Sequence, residues 1–460
     1  MILKEYISSN RGYLGRLLVI FTLIWTGCKS DDSAPVITDP PAEFSGTLAW
    51  VETLGGSGID QATGVINTDD GAFMVVGSTY SNDGHFTGLK STTDGDFFLM
   101  RVRPDGTVDW TKVYGGADDE LATGITKTSD GGFVLVGYSR SDNCFAGSNG
   151  GFHDYYILKV DAQGNEIWCQ NFGYPGSDQA QNVIETREGD LMVTGFFDVS
   201  ASGGQGNDNR GNSGTLHGVG EYWGIKLDAD GQYFWRRYFG GSDNDRSYNV
   251  VQSNDGGFVL IGASESADFD ISDSKGSYDY WAVKMSASGD LEWARSFGGS
   301  EIDIAYDIVS TISGNFLVVG DARSNDQDVN TNYGNADIWL IEINQQGNLV
   351  WEKSLGGSMF DSAKDLLRMN EELYCITGSS RSNDGDISAN NGQNDAWTIV
   401  VDAQGSIVFE MAIGGSSLDF SESAAQGVDG ALMIVGNTES SDGNIVQNQG
   451  YKDILIYKID

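Results

Sequence analysis

Carboxylates recur at two fixed places along this chain. One set follows a Gly-Gly-Ser anchor or a close variant: Asp60, Glu120, Asp178, Asp245, Asp303, Asp361 and Asp419. The other stands a few dozen residues later in each unit: Asp96, Asp154, Glu221, Asp279, Asp337, Asp395 and Asp453. A ring of the first set at a channel mouth could hold a hard cation, Ca2+ above all. The same side chains could instead cap turns or accept amides of their own or the adjacent unit. Because a sevenfold feature serves every unit alike, the capping role is the favoured one. Asn82-Asp83-Gly84-His85 and Asn383-Asp384-Gly385-Asp386 look superficially like Ca2+ loops, but neither completes the twelve-residue pattern with its terminal Glu. Only weak Ca2+ binding is expected of them.

Asymmetry says more about a ligand than repetition does. All three histidines, His85, His153 and His217, fall in long loops of the first three units, beside Phe86, Phe145 and Phe152. The third unit adds a Gly/Asn/Ser-rich insert from Asp198 to Gly220, containing Arg210, and a Tyr174-Pro175 variant of the anchor. Aromatic faces stack on sugar rings, and Asn, Asp and Arg hydrogen-bond hydroxyls. These eight residues, three His, three Phe, Tyr174 and Arg210, are therefore the candidate ligand-binding set. Drift in exposed loops is the plainer account of them, and a zinc site would need a convergence that spacing does not show. The chain has no GxSxG, HExxH or Walker-type loop, and its acid pairs are too plentiful for one to stand out as a glycosidase pair. No catalytic residue is assigned.

The elements that must position these groups follow from the period. The anchor falls at Gly55, Gly115, Gly240, Gly298, Gly356 and Gly414, with the variant Phe172-Gly173-Tyr174-Pro175-Gly176-Ser177 in third place. The repeat is about 58 to 60 residues long except across the third copy. In the second copy LATGITKT, FVLVGYS, DYYILKVD and EIWCQNF are β-rich runs separated by an Asp-Gly-Gly turn, a long loop and an Ala-Gln-Gly-Asn turn. Four strands in each of seven units predict an all-β fold, a seven-bladed β-propeller over residues 46–460. Trp50, Trp110, Trp168, Trp235, Trp293, Trp351 and Phe409 share one place on the fourth strand and are expected to wedge between blades. The last copy stops after its third strand, whereas GTLAWVETL from Gly46 is an orphan fourth strand. The two ends should complete one blade and remove the free sheet edges.

With 27 Lys plus Arg against 66 Asp plus Glu, the net charge of −39 repels nucleic acid. Residues 1–28 carry Lys4, Arg11 and Arg16, then LLVIFTLIW, then Thr26-Gly27-Cys28, the pattern of a signal peptide too short to span a bilayer. Gly27-Cys28 resembles a bacterial lipobox, and Cys-Lys-Ser-Asp-Asp resembles the surface-export signal of Bacteroidota lipoproteins. That likeness implies acylation at Cys28 and an outer-membrane protein facing the exterior, with residues 29–45, rich in Pro, as its tether. Of Cys144, Cys169 and Cys375, at least one must be free; Cys144 and Cys169 fall in the same unit and could bridge, but a core this large does not need a disulfide, so that pairing is not the favoured one.

The combined pattern W-x3-[YFL]-G-G-S-x2-D, DGGF-x-x-x-G, S-x-S-x-D-G-D and D-x-W resembles repeat propellers of secreted and surface proteins of Bacteroidota. The likeness implies the fold and says little of activity. The expectation is a monomeric binding module for polysaccharide or for a partner protein of an outer-membrane complex. A carbohydrate-active enzyme using loop carboxylates and a purely structural scaffold or adhesin are the alternatives.

Overall fold

Short runs rich in Val, Ile, Phe and Tyr, broken by turns at glycines such as Gly71 and Gly131, both at φ +85°, leave the backbone few options other than antiparallel sheet. The computed structural model describes residues 44–90, 92–142, 149–209 and 217–460. Cys28, Cys144, Phe145 and Arg210 lie outside them. Among the described residues, twenty-eight strands make seven four-stranded antiparallel sheets in a ring, a seven-bladed β-propeller as the period predicts. In blade one the strands run Asp60–Asn67, Phe73–Thr79, Asp96–Val102 and Val108–Tyr114, from the inner strand outward.

Burial follows radial position. The second strand of blade one, Phe73–Thr79, is buried throughout, and so is the third strand of blade four, Asp279–Met285. Both faces of these strands meet a neighbouring blade, so their sequences read as continuous apolar runs. The hydrophobic core is accordingly divided into seven clusters, one at each junction between adjacent sheets. At the outer edge the wedge tryptophans reach the next blade: the Nε1–H of Trp50 donates to Pro104 O at 3.2 Å, and that of Trp293 to Gln345 O at 3.1 Å.

Blade seven is built from both ends of the described chain. Asp419–Gln426, Leu432–Thr438 and Asp453–Ile459 are completed by Leu48–Leu54, which pairs antiparallel with the last strand from Leu48↔Ile459 to Leu54↔Ile454. Phe44 packs edge-on against Phe409, with ring centroids 5.3 Å apart, so ordered packing begins just ahead of the expected boundary at Gly46.

One expectation is corrected. Cys169, on the outer strand Glu166–Phe172, is disulfide-bonded, while Cys375 is free and buried. A large core makes a bridge unnecessary for stability but does not exclude one, and the partner of Cys169 lies outside the described residues.

Candidate functional site

The recurring acids lie at the blade junctions. Asp303 is typical: its Oδ2 accepts Gly299 N–H at 2.8 Å and Ser324 Oγ–H at 2.7 Å, and its Oδ1 accepts the N–H groups of Arg323 and Ser324 at 3.0 and 3.1 Å. Asp60, Asp361 and Asp419 repeat the Gly and Ser contacts at 2.7 to 2.8 Å. All seven anchor acids are fully buried; Glu120 and Asp245 accept the N–H groups of Gly116 and Gly241 at 2.6 and 2.7 Å, and Asp178 accepts that of Tyr174 at 2.7 Å. They fasten the anchor loop to its blade and stand apart from the lining of the channel. Among the described residues no group of three or more His, Cys, Asp or Glu side chains is placed to hold a metal ion.

Beside each anchor acid sits the acid that opens the third strand of the preceding blade. Asp337 Oδ1 and Asp361 Oδ2 both crowd the α-carbon of Gly356, where a Cβ would lie 2.3 and 2.7 Å from them. Asp154, Asp279, Asp337, Asp395 and Asp453 each keep a buried Oδ1 without a hydrogen-bond partner. Burial is the main cause that pushes these five carboxyls up to about 6 and Asp178 to about 8.

The loop residues singled out in the sequence are dispersed over several junctions. His85 contacts the backbone of Gly55 through Nδ1, at 3.1 Å from N and 3.0 Å from O. Phe86 is fully enclosed, packed on Phe98 in the core between blades seven and one. His153, with Nδ1 3.0 Å from Ser177 Oγ, is half-buried, and desolvation pushes its imidazole down. Phe152 is exposed and lies between His153 and the Arg140 guanidinium, 4.6 Å from its ring. Tyr174 accepts a hydrogen bond from Arg236 at 3.0 Å and packs near Trp223. His217 is buried, stacked on Phe269 at 4.5 Å, with Nδ1 3.3 Å from Glu221. Phe145 and Arg210 lie outside the described residues.

A different set of side chains converges on the ring axis. Every inner strand carries a β-bulge at the same place, the register slipping by one between Ala62 and Gly64, Ala305 and Asp307, Ala363 and Asp365, and at the four equivalent positions. A bulge re-aims the extra side chain. The seven bulged residues are Thr63, Thr123, Gln181, Tyr248, Tyr306, Lys364 and Glu422, and all seven line one 270 Å³ cavity. Asn182, Asn249, Asp307 and Asp365 complete its wall. A second cavity of 450 Å³, lined by Ile125, Ile184, Val251, Val309 and Arg368 among others, shares Asn182, Asn249 and Asp307 with the first. The central channel is thus a polar chamber followed by a more apolar one.

The polar chamber is lopsided. Blades one and two present Thr63, Gly64, Thr123 and Gly124, whereas blades four to seven bring two phenols, an ammonium and three carboxyls. Tyr248 and Tyr306 lie 5.2 Å apart, and the Lys364 ammonium stands 3.6 Å from the Tyr306 ring centroid. Asp307 spends both oxygens on protein donors: Leu366 N–H at 2.6 Å, Ile308 N–H at 2.6 Å and the Asn249 amide. Asp365 repeats the link to the next blade through Ala424 N–H at 3.0 Å. Burial pushes Asp307 well above the usual carboxylate range, with the neighbouring Asp365 charge adding to it, and pushes Asp365 up to about 7. Glu422 is also raised by burial, against the opposing pull of Lys364 and Asn437.

The chamber was within reach of the sequence. Its residues stand third after each anchor acid, a place where Thr, Gln, Tyr, Lys and Glu replace one another from blade to blade, as other residues do at the first and seventh places. Seeing that this place faces the axis requires the bulge, since strict alternation would not put it and the residue after it in the same wall.

No family model matches the chain. It is 24% identical over 237 residues, 49% of its own length, to the regulatory protein FlaEY of Caulobacter vibrioides, of which the match spans 24%. The chain therefore covers about a quarter of that relative. Among solved structures it is similar to Sqt1 from Chaetomium thermophilum, with a TM-score of 0.44 and 9% identity over 86% of this chain and 83% of that one. A fungal alcohol oxidase in complex with copper gives 0.46 and 12% over 90% and 76%, and a puromycin hydrolase 0.43 and 13% over 83% and 50%. Likenesses at this level carry no argument about what the chain does.

Proposed function

We propose that this chain is an exported binding module, held at the outer membrane by an acyl group on Cys28 and facing the exterior, that takes a saccharide into its polar axial chamber. The observation that carries this reading is the asymmetry of the bulged ring. The strands, anchors and wedges repeat around the propeller, but the seven side chains aimed at the axis are chemically diverse, and with Asn182, Asn249, Asp307 and Asp365 they gather tyrosines, amides and carboxyls away from blades one and two. Phenol faces and amide or carboxyl hydrogen-bonding groups are the complement of a hydroxylated ring. The disulfide at Cys169 supports export, because such bonds persist in oxidising compartments.

The test is affinity electrophoresis or calorimetry of the soluble propeller over a polysaccharide and oligosaccharide panel, wild type against Tyr248→Ala and Tyr306→Ala. At least one saccharide should bind, and each variant should weaken it by tenfold or more, about 1.4 kcal/mol. Unaltered binding in both variants would remove the chamber as the site. Asp365 and Glu422 line the same cavity with raised carboxyls, which favours glycoside hydrolysis as the second reading. Release of reducing ends by the wild type, lost in Asp365→Asn, would replace the binding reading with that one.

A further inference from the structure

We propose that the saccharide received by the chamber is anionic, its negative group meeting Lys364. This rests on the saccharide reading above and narrows it. Lys364 is the one basic residue in the wall of the 270 Å³ cavity. Its ammonium lies over the Tyr306 ring, and among the described residues no hydrogen bond or ion pair engages it. Most other basic side chains of this acidic protein are differently placed: Lys90, Lys159 and Lys284, for example, are buried against carboxylates at 2.8 to 3.0 Å. A partly buried ammonium with a ring on one side keeps unused N–H donors toward the cavity.

The acids around Lys364 each accept a hydrogen bond from another donor, although Asp321 and Glu422 also feel its charge. Asp307 is held by three protein donors, Asp365 by Ala424 N–H and Glu422 by the Asn437 amide at 3.3 Å. Asp321, behind the chamber, accepts the Ser362 hydroxyl at 2.7 Å. Burial raises all four carboxyls, with Lys364 itself opposing the shift at Asp321 and Glu422. A cavity of 270 Å³ sits just under the range of about 300–1,000 Å³ usual for small-molecule sites, so the unit recognised is a ring or two carrying its own charge. A uronate carboxylate and a sulfate ester share the required chemistry.

The experiment is calorimetry on the soluble propeller with short oligosaccharides of galacturonate and of glucuronate, their uncharged methyl esters, and sulfated galactose oligosaccharides. Wild type should bind a charged probe roughly tenfold or more tighter than its uncharged counterpart, as one charge-assisted hydrogen bond would give. Lys364→Met should abolish that preference while leaving the melting temperature near wild type, and Lys364→Arg should restore part of it. A preference for the uronates over the sulfated probes, or the reverse, identifies which anion is received. Equal binding of acid and ester by the wild type, still weakened by Tyr248→Ala, overturns the anionic claim and leaves the saccharide reading standing. Absence of binding by every probe and by the wider panel overturns both.

Discussion

Thr47 and Asp460 exchange backbone hydrogen bonds, Thr47 N–H to Asp460 O at 3.2 Å and Asp460 N–H to Thr47 O at 2.9 Å, which latches the first strand of the propeller to the last. Below this latch Leu54 is buried in the core between blades seven and one. Deleting Gly46–Leu54 strips blade seven of its outer strand and exposes the edge of Asp453–Ile459. The melting temperature should fall by on the order of 10 °C or more. Calorimetry on the truncated and intact propellers checks this, and an unmoved transition would dismiss the latch.

Anchor glycines differ sharply from turn glycines. A Cβ at Gly356 would lie 2.3 Å from Asp337 Oδ1 and 2.7 Å from Asp361 Oδ2, two buried carboxyls with no room to retreat. At Gly131 no atom lies within 4 Å, and only its φ of +85° opposes a side chain. Gly356→Ala should therefore cost about 3 kcal/mol or more, and Gly131→Ala about 1 kcal/mol. Denaturant unfolding of the two variants gives the comparison, and equal losses would contradict it.

The paired junction acids make stability depend on pH in an unusual direction. Asp154, Asp245, Asp279, Asp337, Asp395 and Asp453 are raised to about 6, and Asp178 to about 8, chiefly by burial. A group raised in the folded state binds its proton more tightly there. Its stabilising contribution is complete below the unfolded value near 3.8 and is lost as pH rises through 6 to 8. The oppositely shifted Asp70, Asp130 and Asp255, near 2, contribute stability that is complete above about pH 5 and is lost only as pH falls toward 2, so they leave the slope between pH 5 and pH 8 unchanged. The melting temperature should fall from pH 5 to pH 8, and Asp337→Asn should flatten part of that slope. A flat or rising profile would be inconsistent with protonated junction pairs.

Reducing the Cys169 disulfide should lower stability by about 2–4 kcal/mol. Melting with and without dithiothreitol measures the difference. Cys375 is fully buried, and burial pushes its thiol up, so it should react with a thiol reagent only after unfolding.

The phenylalanines chosen from the sequence illustrate why composition alone misplaces a site. Phe86 and Phe152 are both loop aromatics, yet one is fully enclosed and the other 57% exposed, a difference set by which loop folds over a junction. Lys364 and Tyr306, in contrast, sit in strands that look structural, three residues after an acid of the repeated anchor.

The amino-acid sequence by itself determined the number of blades, their four strands and the splice of the two ends, because each is written as a repeated local pattern and repetition makes local signals add. Only the tertiary structure decided which residues face the axis and which are walled off. That outcome depends on a one-residue slip of register in seven strands and on the meeting of blades far apart along the chain; the slip recurs at one place in every repeat, but the alternation of side chains does not reveal it.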